Sequence, residues 1–469
     1  MIDFDDTIIA PATVPGTGAI SIIRLSGPNA IALVNSMFSS PTGSLLEVKG
    51  GSCVHGYLKD SPDGILDEIV VSVFRAPRSY TGDDVVEISC HASSYVVRRF
   101  MELCCKQGAR PAEAGEFTRR AFLAGKMDLS QAEAVADIIS ATSSASHRLA
   151  LNQLKGGYSA ELSSIRSSML EIAALLELEL DFSEEEVEFA DREKLRNLVT
   201  AAHQRCSALE RSFALGNAIK EGVRVVIAGE PNSGKSTLLN AILHEDRAIV
   251  SDIAGTTRDS IEETVNIGGV IFRLTDTAGI RQTDDPIESQ GVKRTFSLLS
   301  KADIVLAMVD SLASPTEIRS FLGELPGKLD LSSQKLGIVV NKIDCNRNVN
   351  EINILVTSTI SEAIIINISA LTGEGVKDLE KFLEESVKSS ISSSPSPVLV
   401  TNERHRNALR LVCEDLSRLL DALSPASMVP TDLAAQDLRS AIYNLGTITG
   451  EVSSDEILGE IFGRFCIGK

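Results

Sequence analysis

The sequence predicts a multidomain protein of mixed α/β and α class. It has an α+β N-terminal domain over residues 1–125, a discontinuous all-α helical domain over 126–218 and 389–469, and an α/β unit over 219–388 inserted between the helical halves. Three changes of texture predict this. Up to about residue 120, short β-type runs alternate with turns marked by Pro and Gly. From about Ser130 to Gly216 proline vanishes and apolar residues recur at helical spacing. From Val223 strand-like runs alternate with helical stretches, until the linker Ser389–Pro397 opens a last helical block from about Asn402 to Phe465. The length of 469 residues allows about three domains. Insertion into a helical domain is tolerated because domain termini tend to lie close together.

The elements follow in order. Ala19–Arg24, Ile69–Phe74 and Val85–Ser89 read as strands, the first punctuated by Pro11, Pro15, Gly16, Gly18, Gly27 and Pro28. Met169, Ile172, Ala173, Leu176 and Leu180 form one apolar helix stripe. Val223–Ala228, Val270–Leu274, Ile304–Val309, Leu336–Val340 and Ala363–Ile368 suit buried parallel strands.

Composition narrows the class of function. Hydrophobic residues at 43% and charged residues at 23% rule out a wholly disordered or collagenous chain. Aromatics at 4% with no Trp point to a helix-rich interior of Leu, Ile and Ala. A net charge of −19 opposes wrapping nucleic acid over the whole surface or coating an anionic membrane. RNA would have to meet local cations such as Arg404, Arg406 and Arg410, away from the acidic stretch Glu177–Glu193. The acidic start Met1–Asp6 does not resemble a signal peptide, and no apolar run is long enough to span a bilayer. The eight cysteines form no CxxC pair, which fits reduced thiols in a cytoplasmic protein with no membrane partner. Cys466 reads either as a redox or catalytic thiol or as a buried structural one, the commoner role of a free cysteine.

Gly229-Glu-Pro-Asn-Ser-Gly-Lys-Ser236 fits the phosphate-binding P-loop, placed between a strand and a helical run. Its glycines let backbone N–H groups of Asn232, Ser233, Gly234 and Thr237 face phosphates. Lys235 reaches the β and γ oxygens, and Ser236 supplies a hydroxyl to Mg²⁺. Four further elements follow in the right order. Gly255-Thr256-Thr257 offers a switch threonine, preceded by Ser251, Asp252, Ile253 and Ala254. Asp276-Thr277-Ala278-Gly279 places a carboxylate beside Mg²⁺ and an N–H beside the γ-phosphate. In Asn341-Lys342-Ile343-Asp344 the Asp can accept from the N1 and N2 donors of guanine, a pair adenine lacks. Ser369-Ala370-Leu371 can contact the guanine O6 through backbone N–H. The α/β unit is therefore a Ras-like P-loop G domain that binds GTP.

Two positions stay open on residues alone. Ile280 stands where many small GTPases carry a water-orienting Gln, so Glu288 either reaches back to the water or is a solvated acid. Asn232 either joins carbonyls of Ser251–Thr257 around a monovalent cation or bonds its own loop.

Outside the G domain, several stretches resemble the tRNA modification GTPase family known as MnmE or TrmE. They are Asp6–Ala10 with Pro15-Gly16 and Arg24–Gly27; Ser79–Asp84 with Glu87 and His91; Gly115–Arg119 through Lys126 and Asp128–Glu133; Leu180–Glu185; and Phe465–Lys469. The resemblance covers nearly the full length. It implies a GTPase that acts with an FAD-dependent partner of the GidA/MnmG type on C5 of the wobble uridine of certain tRNAs, installing an aminomethyl-type group. It also implies a homodimer made by a folate-binding N-terminal domain that takes 5-formyltetrahydrofolate or a related tetrahydrofolate, with potassium-stimulated hydrolysis. Carried over, Asn232, Ser251, Ile253 (through its carbonyl) and Thr256 would hold K⁺, Ser236 and Thr257 would hold Mg²⁺, and Glu288 would orient the water. Arg24, Glu87, Lys126 and Lys469 would contact the folate, whose pterin N–H pair suits a carboxylate and whose own carboxylates suit Arg or Lys. Cys90-His91-Ala92-Ser93 departs from the family's Gly-His-Gly-Gly and makes that loop bulkier, and Ser251 replaces a usual Thr. A second function, an RNA-binding GTPase switch in ribosome assembly, would want a GxxG loop on a basic C-terminal domain. Residues 389–469 have no GxxG and carry 7 Lys/Arg against 10 acids.

Overall fold

In the computed structural model, residues 6–41, 43–62, 64–181, 192–245, 262–276, 298–300, 302–327, 329, 334–345, 348–360, 363–392, 398–424 and 431–469 are described. They form two compact units, one of residues 1–139, 152–198 and 418–469, the other of 140–151 and 199–417.

The first unit is built on a seven-stranded sheet of β1 (Ile8–Pro11), β2 (Ile20–Ser26), β3 (Phe38–Ser39), β4 (Ser52–Lys59), β5 (Ile65–Phe74), β6 (Val85–His91) and β7 (Arg110–Pro111). Their spatial order is β3-β4-β5-β6-β2-β1-β7, antiparallel except for the β1–β7 pair. Alternation decides which face is buried. In β4, Val54, Gly56 and Leu58 turn inward while Cys53, His55 and Tyr57 are exposed. The inward side chains pack with α1 (Ala30–Met37) and α2 (Ser94–Lys106) in a core that holds Ile23, Leu25, Val34, Val71, Ile88 and Phe100. The strands predicted from 19, 69 and 85 are present, with β5 and β6 longer than expected. The sequence reading did not mark β4, because its alternation runs through Ser, Cys, His and Gly, which carry little β preference.

Helices complete this unit: α3 (Glu116–Leu123), α4 (Leu129–Ser140), α6 (Gly157–Asp181) and, after the second unit, α13 (Thr431–Thr449) and α14 (Asp455–Gly463). Leu129 and Ala132 of α4 pack with Leu458, Ile461, Phe462 and Phe465 from the end of the chain. The last residues then return to the sheet. Ile467 makes a bridge to Ala114, and Gly468, at φ +99°, lies so close to β1 that a Cβ would sit 2.2 Å from the Pro11 carbonyl oxygen.

The second unit takes α5 (Ser144–Leu154) in part and most of α7 (Arg192–Glu221), then a six-stranded sheet. The strands are β8 (Val223–Gly229), β9 (Glu262–Ile267), β10 (Val270–Asp276), β11 (Ile304–Asp310), β12 (Lys335–Asn341) and β13 (Ile364–Asn367), in the order β13-β12-β11-β8-β10-β9. The five apolar runs are all strands and run parallel, whereas β9 is an antiparallel partner of β10 that the sequence reading did not mark. Its sequence, EETVNI, alternates polar with apolar, which fits an edge strand rather than a buried run. Helices α8 (Lys235–Glu245), α9 (Pro315–Glu324), α10 (Val349–Thr359) and α11 (Val376–Ser392) cover the sheet, and α12 (Glu403–Ala422) follows. The parallel register sets Gly229 opposite Met308, Asp310 opposite Asn341 and Val340 opposite Asn367. The strand C-termini, where open α/β sheets bind ligands, therefore share one edge. Among the described residues, no helix is long and apolar enough to cross a membrane.

Candidate functional site

At that edge β8 runs into the P-loop. The chain turns through Asn232 at φ +64° and Gly234 at φ +97° before α8 begins at Lys235. Gly234 is required by a close approach, since a Cβ there would lie 2.2 Å from the Asn341 side-chain nitrogen. Lys235 is buried and its Nζ donates to the carbonyls of Gly229 at 2.9 Å and Glu230 at 2.8 Å, so the ammonium is held inside the loop its phosphates would enter. Ser233 is buried, while Asn232, Ser236 and Thr237 are exposed. The Ser236 hydroxyl donates to Asp276 Oδ2 at 2.8 Å. Two hard oxygens thus stand side by side at the N-terminus of α8, a donor pair that fits Mg²⁺.

Asn341 ties the phosphate loop to the base-side loops. It is buried; its Nδ2 donates to the Ser233 carbonyl at 2.8 Å, and its Oδ1 accepts from the Ala370 N–H at 2.9 Å. Lys342, at φ +65°, reaches Asp310 with Nζ at 2.7 Å, and its carbonyl accepts from the Ser311 hydroxyl at 2.9 Å. Asp344 is exposed. Hydrogen bonds from the Ser369 and Cys345 side chains hold its carboxyl below the usual carboxylate range, so it is an ionised double acceptor. Ser369 is buried and its hydroxyl accepts from the Thr372 N–H at 3.2 Å, while Leu371 is exposed.

The structure therefore brings together Asn232, Ser233, Gly234, Lys235, Ser236, Thr237, Asp276, Asn341, Lys342, Asp344, Ser369, Ala370 and Leu371 at one sheet edge. Ser251, Asp252, Ile253, Ala254, Gly255, Thr256, Thr257, Thr277, Ala278, Gly279 and Glu288 lie outside the described residues. Sequence reasoning missed Asp310 and Ser311, which hold Lys342 from the neighbouring strand. Val-Asp-Ser ends an apolar run in the sequence, but only the pairing of that strand with the one ending in Asn341 reveals the role.

The first unit holds a second cluster. Arg24 on β2 faces Glu87 on β6 in direct register, with Nε 2.8 Å and Nη2 2.7 Å from Glu87 Oε1. The Arg24 guanidinium lies over the rings of Tyr80 at 5.3 Å and Phe117 at 5.6 Å, and Nη1 donates to the Gly468 carbonyl at 3.3 Å. Burial pushes the Tyr80 phenol up against the lowering effect of Thr118 and Arg24, so it stays protonated. The carbonyl of Lys469 accepts from the Phe117 N–H at 3.2 Å, which brings the chain's last residue to the same place. Lys126 donates to the Pro77 carbonyl at 2.7 Å, on the loop that leads to Tyr80. His91 is exposed, and Asp67 holds it by accepting from both Nδ1 at 2.7 Å and the backbone N–H at 2.8 Å. Cys466 is exposed, which corrects the expectation of a buried thiol: the tail turns to bridge Ala114 through Ile467 and leaves the preceding side chain outward.

Beside it lies a charge network that sequence reasoning did not foresee. The Glu116 carboxylate, 1% exposed, accepts from Arg110 Nη2 at 2.7 Å, Arg120 Nη2 at 3.1 Å and the Glu113 N–H at 2.8 Å. Arg120, 2% exposed, also donates to the carbonyl and carboxylate of Asp6. Burial pushes the carboxyl of Glu116 up, but the hydrogen bonds from Arg110, the Glu113 amide and Arg120 outweigh it and hold the group below its ordinary value. Of the basic residues singled out for RNA, Arg410 is paired with Glu414, Arg404 meets the His405 ring at 2.9 Å, and Arg406 lies over Phe213 at 5.1 Å.

A parallel sheet whose edge gathers a P-loop, a metal-side carboxylate and a guanine-selecting Asp defines the class of P-loop GTPases. Comparison with known proteins supplies the family. A family model described as the MnmE helical domain matches residues 129–466, and one described as the GTP-binding protein TrmE N-terminus matches residues 7–126. Proteins named tRNA modification GTPase MnmE from Flavobacterium johnsoniae and Bacteroides thetaiotaomicron are 46% and 47% identical to this chain, each over 99% of both chains. One of that name from Cytophaga hutchinsonii is 46% identical over 99% of this chain and 98% of its own. The chain belongs to the tRNA modification GTPase MnmE family. It is a GTP hydrolase.

Proposed function

We propose that this chain couples GTP hydrolysis to modification of C5 of the wobble uridine in certain tRNAs, together with an FAD-dependent partner of the MnmG/GidA type. The observation that carries this is the pair of built clusters, one for a guanine nucleotide and one for a flat ring with charged groups, in a member of this family. Residues 1–125 form the folate-binding and dimerising domain, 126–218 and 389–469 the helical domain, and 219–388 the inserted G domain. Such a chain works in the cytoplasm as a homodimer.

In the G domain the loop amides and Lys235 bind the phosphates, Asp344 selects guanine, and Ser236 with Thr257 holds Mg²⁺ near Asp276. Bound Mg²⁺ and K⁺ supply positive charge against the charge that develops during phosphoryl transfer. For K⁺ the ligands are Asn232, Ser251, Ile253 and Thr256, and exposed Asn232 at the loop's left-handed turn presents a hard amide oxygen that suits the role. Glu288 orients the attacking water in place of the absent Gln.

In the first unit, Glu87 suits the paired N–H edge of a pterin, and Tyr80 and Phe117 flank the Arg24 position with flat faces. Lys126 and Lys469 suit the carboxylates of 5-formyltetrahydrofolate or a related tetrahydrofolate, while Arg24 holds the Glu87 carboxylate at the pterin end. That group supplies a one-carbon unit when bound. The test is mass spectrometry of tRNA from cells lacking this protein. The expected result is wobble uridines without the aminomethyl-type group, restored by the wild-type gene; full modification in its absence would overturn the proposal.

A further inference from the structure

Asp344 selects guanine only if its carboxylate plane is fixed, and the aspartate is exposed, its carboxylate carbon two bonds from the Cα of a backbone turn. Two side chains act on it. Ser369, buried and anchored by the Thr372 N–H, favours the ionised carboxylate. Cys345, the next residue in the chain, donates its thiol to Asp344 Oδ2 at 3.2 Å. We propose that Cys345 is a positioning residue for guanine recognition, holding the Asp344 carboxylate in the orientation that meets the base.

The lone-pair count allows this without competition. An ionised carboxylate has about four acceptor sites on its two oxygens. Guanine N1–H and N2–H need one on each oxygen, which leaves outer positions for Ser369 and Cys345. The thiol is suited to the role because it stays protonated. The hydrogen bond to Asp344 pushes the Cys345 thiol up, and burial and the charges of Asp344 and Asp310 add to this against Lys342. Cys345 is exposed and its thiol bonds Asp344 on the base side, so it bears on base affinity rather than on the chemical step.

This rests on Asp344 as the base-reading residue, and the experiment separates the two claims. Wild-type protein, Cys345→Ala and Cys345→Ser are titrated with mant-GDP and mant-IDP, whose hypoxanthine lacks the N2 donor, and kcat and KM for GTP are measured. Wild-type preference for mant-GDP over mant-IDP tests Asp344 itself; its absence would remove the basis of both claims. Given that preference, Cys345→Ala should weaken mant-GDP about threefold, the scale of one weak hydrogen bond, and weaken mant-IDP less. KM should rise with kcat unchanged, and Cys345→Ser, which keeps a donor, should restore binding. Unchanged affinity in Cys345→Ala, an equal loss for both nucleotides, or no rescue by serine would each overturn the positioning role.

Discussion

The two clusters are assembled in opposite ways. In the nucleotide site every described member stands at or just beyond the C-terminal end of a parallel strand, so the register of the sheet alone brings the motifs to one edge. In the first unit Arg24 bonds a carbonyl 444 residues away, and Phe117 is capped by the last residue of the chain. The first arrangement lets side chains be exchanged for function with little effect on folding. The second makes the charged groups part of what holds the fold, because its contacts hold the C-terminal residues Gly468 and Lys469 against the sheet unit.

The largest expected effect lies in the first unit. Glu116→Ala leaves Arg120, 2% exposed, without one of its carboxylate partners, and removal of one member of a buried charge network costs about 3–5 kcal/mol. Urea unfolding monitored for this unit should show that loss; a change within about 0.5 kcal/mol would place the network among surface features. The same network sets an acid limb. The folded-state values of Glu116 and Asp6 are depressed, so their stabilisation is present above the ordinary carboxylate range and is lost as the pH falls through those depressed values. Stability of the wild type should therefore decline below about pH 4, and Glu116→Gln should flatten that decline. Lys235→Ala sharpens the contrast. It removes two donors to loop carbonyls, a stability loss of about 1 kcal/mol, while GTP hydrolysis should fall about a hundredfold. A large loss of stability with hydrolysis retained would erase the difference between the two regions.

This difference also explains what was legible in the sequence. Gly229–Ser236, Asp276, Asn341–Asp344 and Ser369–Leu371 were found because each motif is contiguous and ends an apolar run, and a run of buried strands is a strong pattern. Asp310 was missed because its role depends on which strand neighbours which, a property of topology rather than of local sequence. The strands β4 and β9 escaped because alternating polar residues on a half-exposed strand resemble a loop. Arg24 and Glu87 were singled out by family resemblance, yet nothing near them in the sequence pointed to Gly468, Phe117 or the buried pair of Glu116 and Arg120. The exposure of Cys466 belongs to the same class, since it follows from how the tail meets Ala114.

The central claim is that one sheet edge holds a guanine-selective site with Asp344 as its base reader. Asp344→Asn replaces two acceptors by one acceptor and one donor, the complement of xanthine, whose C2 carries a carbonyl where guanine has an amino group. Steady-state hydrolysis of GTP and XTP by the two proteins measures this directly. The account predicts that kcat/KM for GTP falls by about two orders of magnitude while that for XTP rises, through KM rather than kcat. Unchanged GTP kinetics in Asp344→Asn, with no gain on XTP, would contradict it.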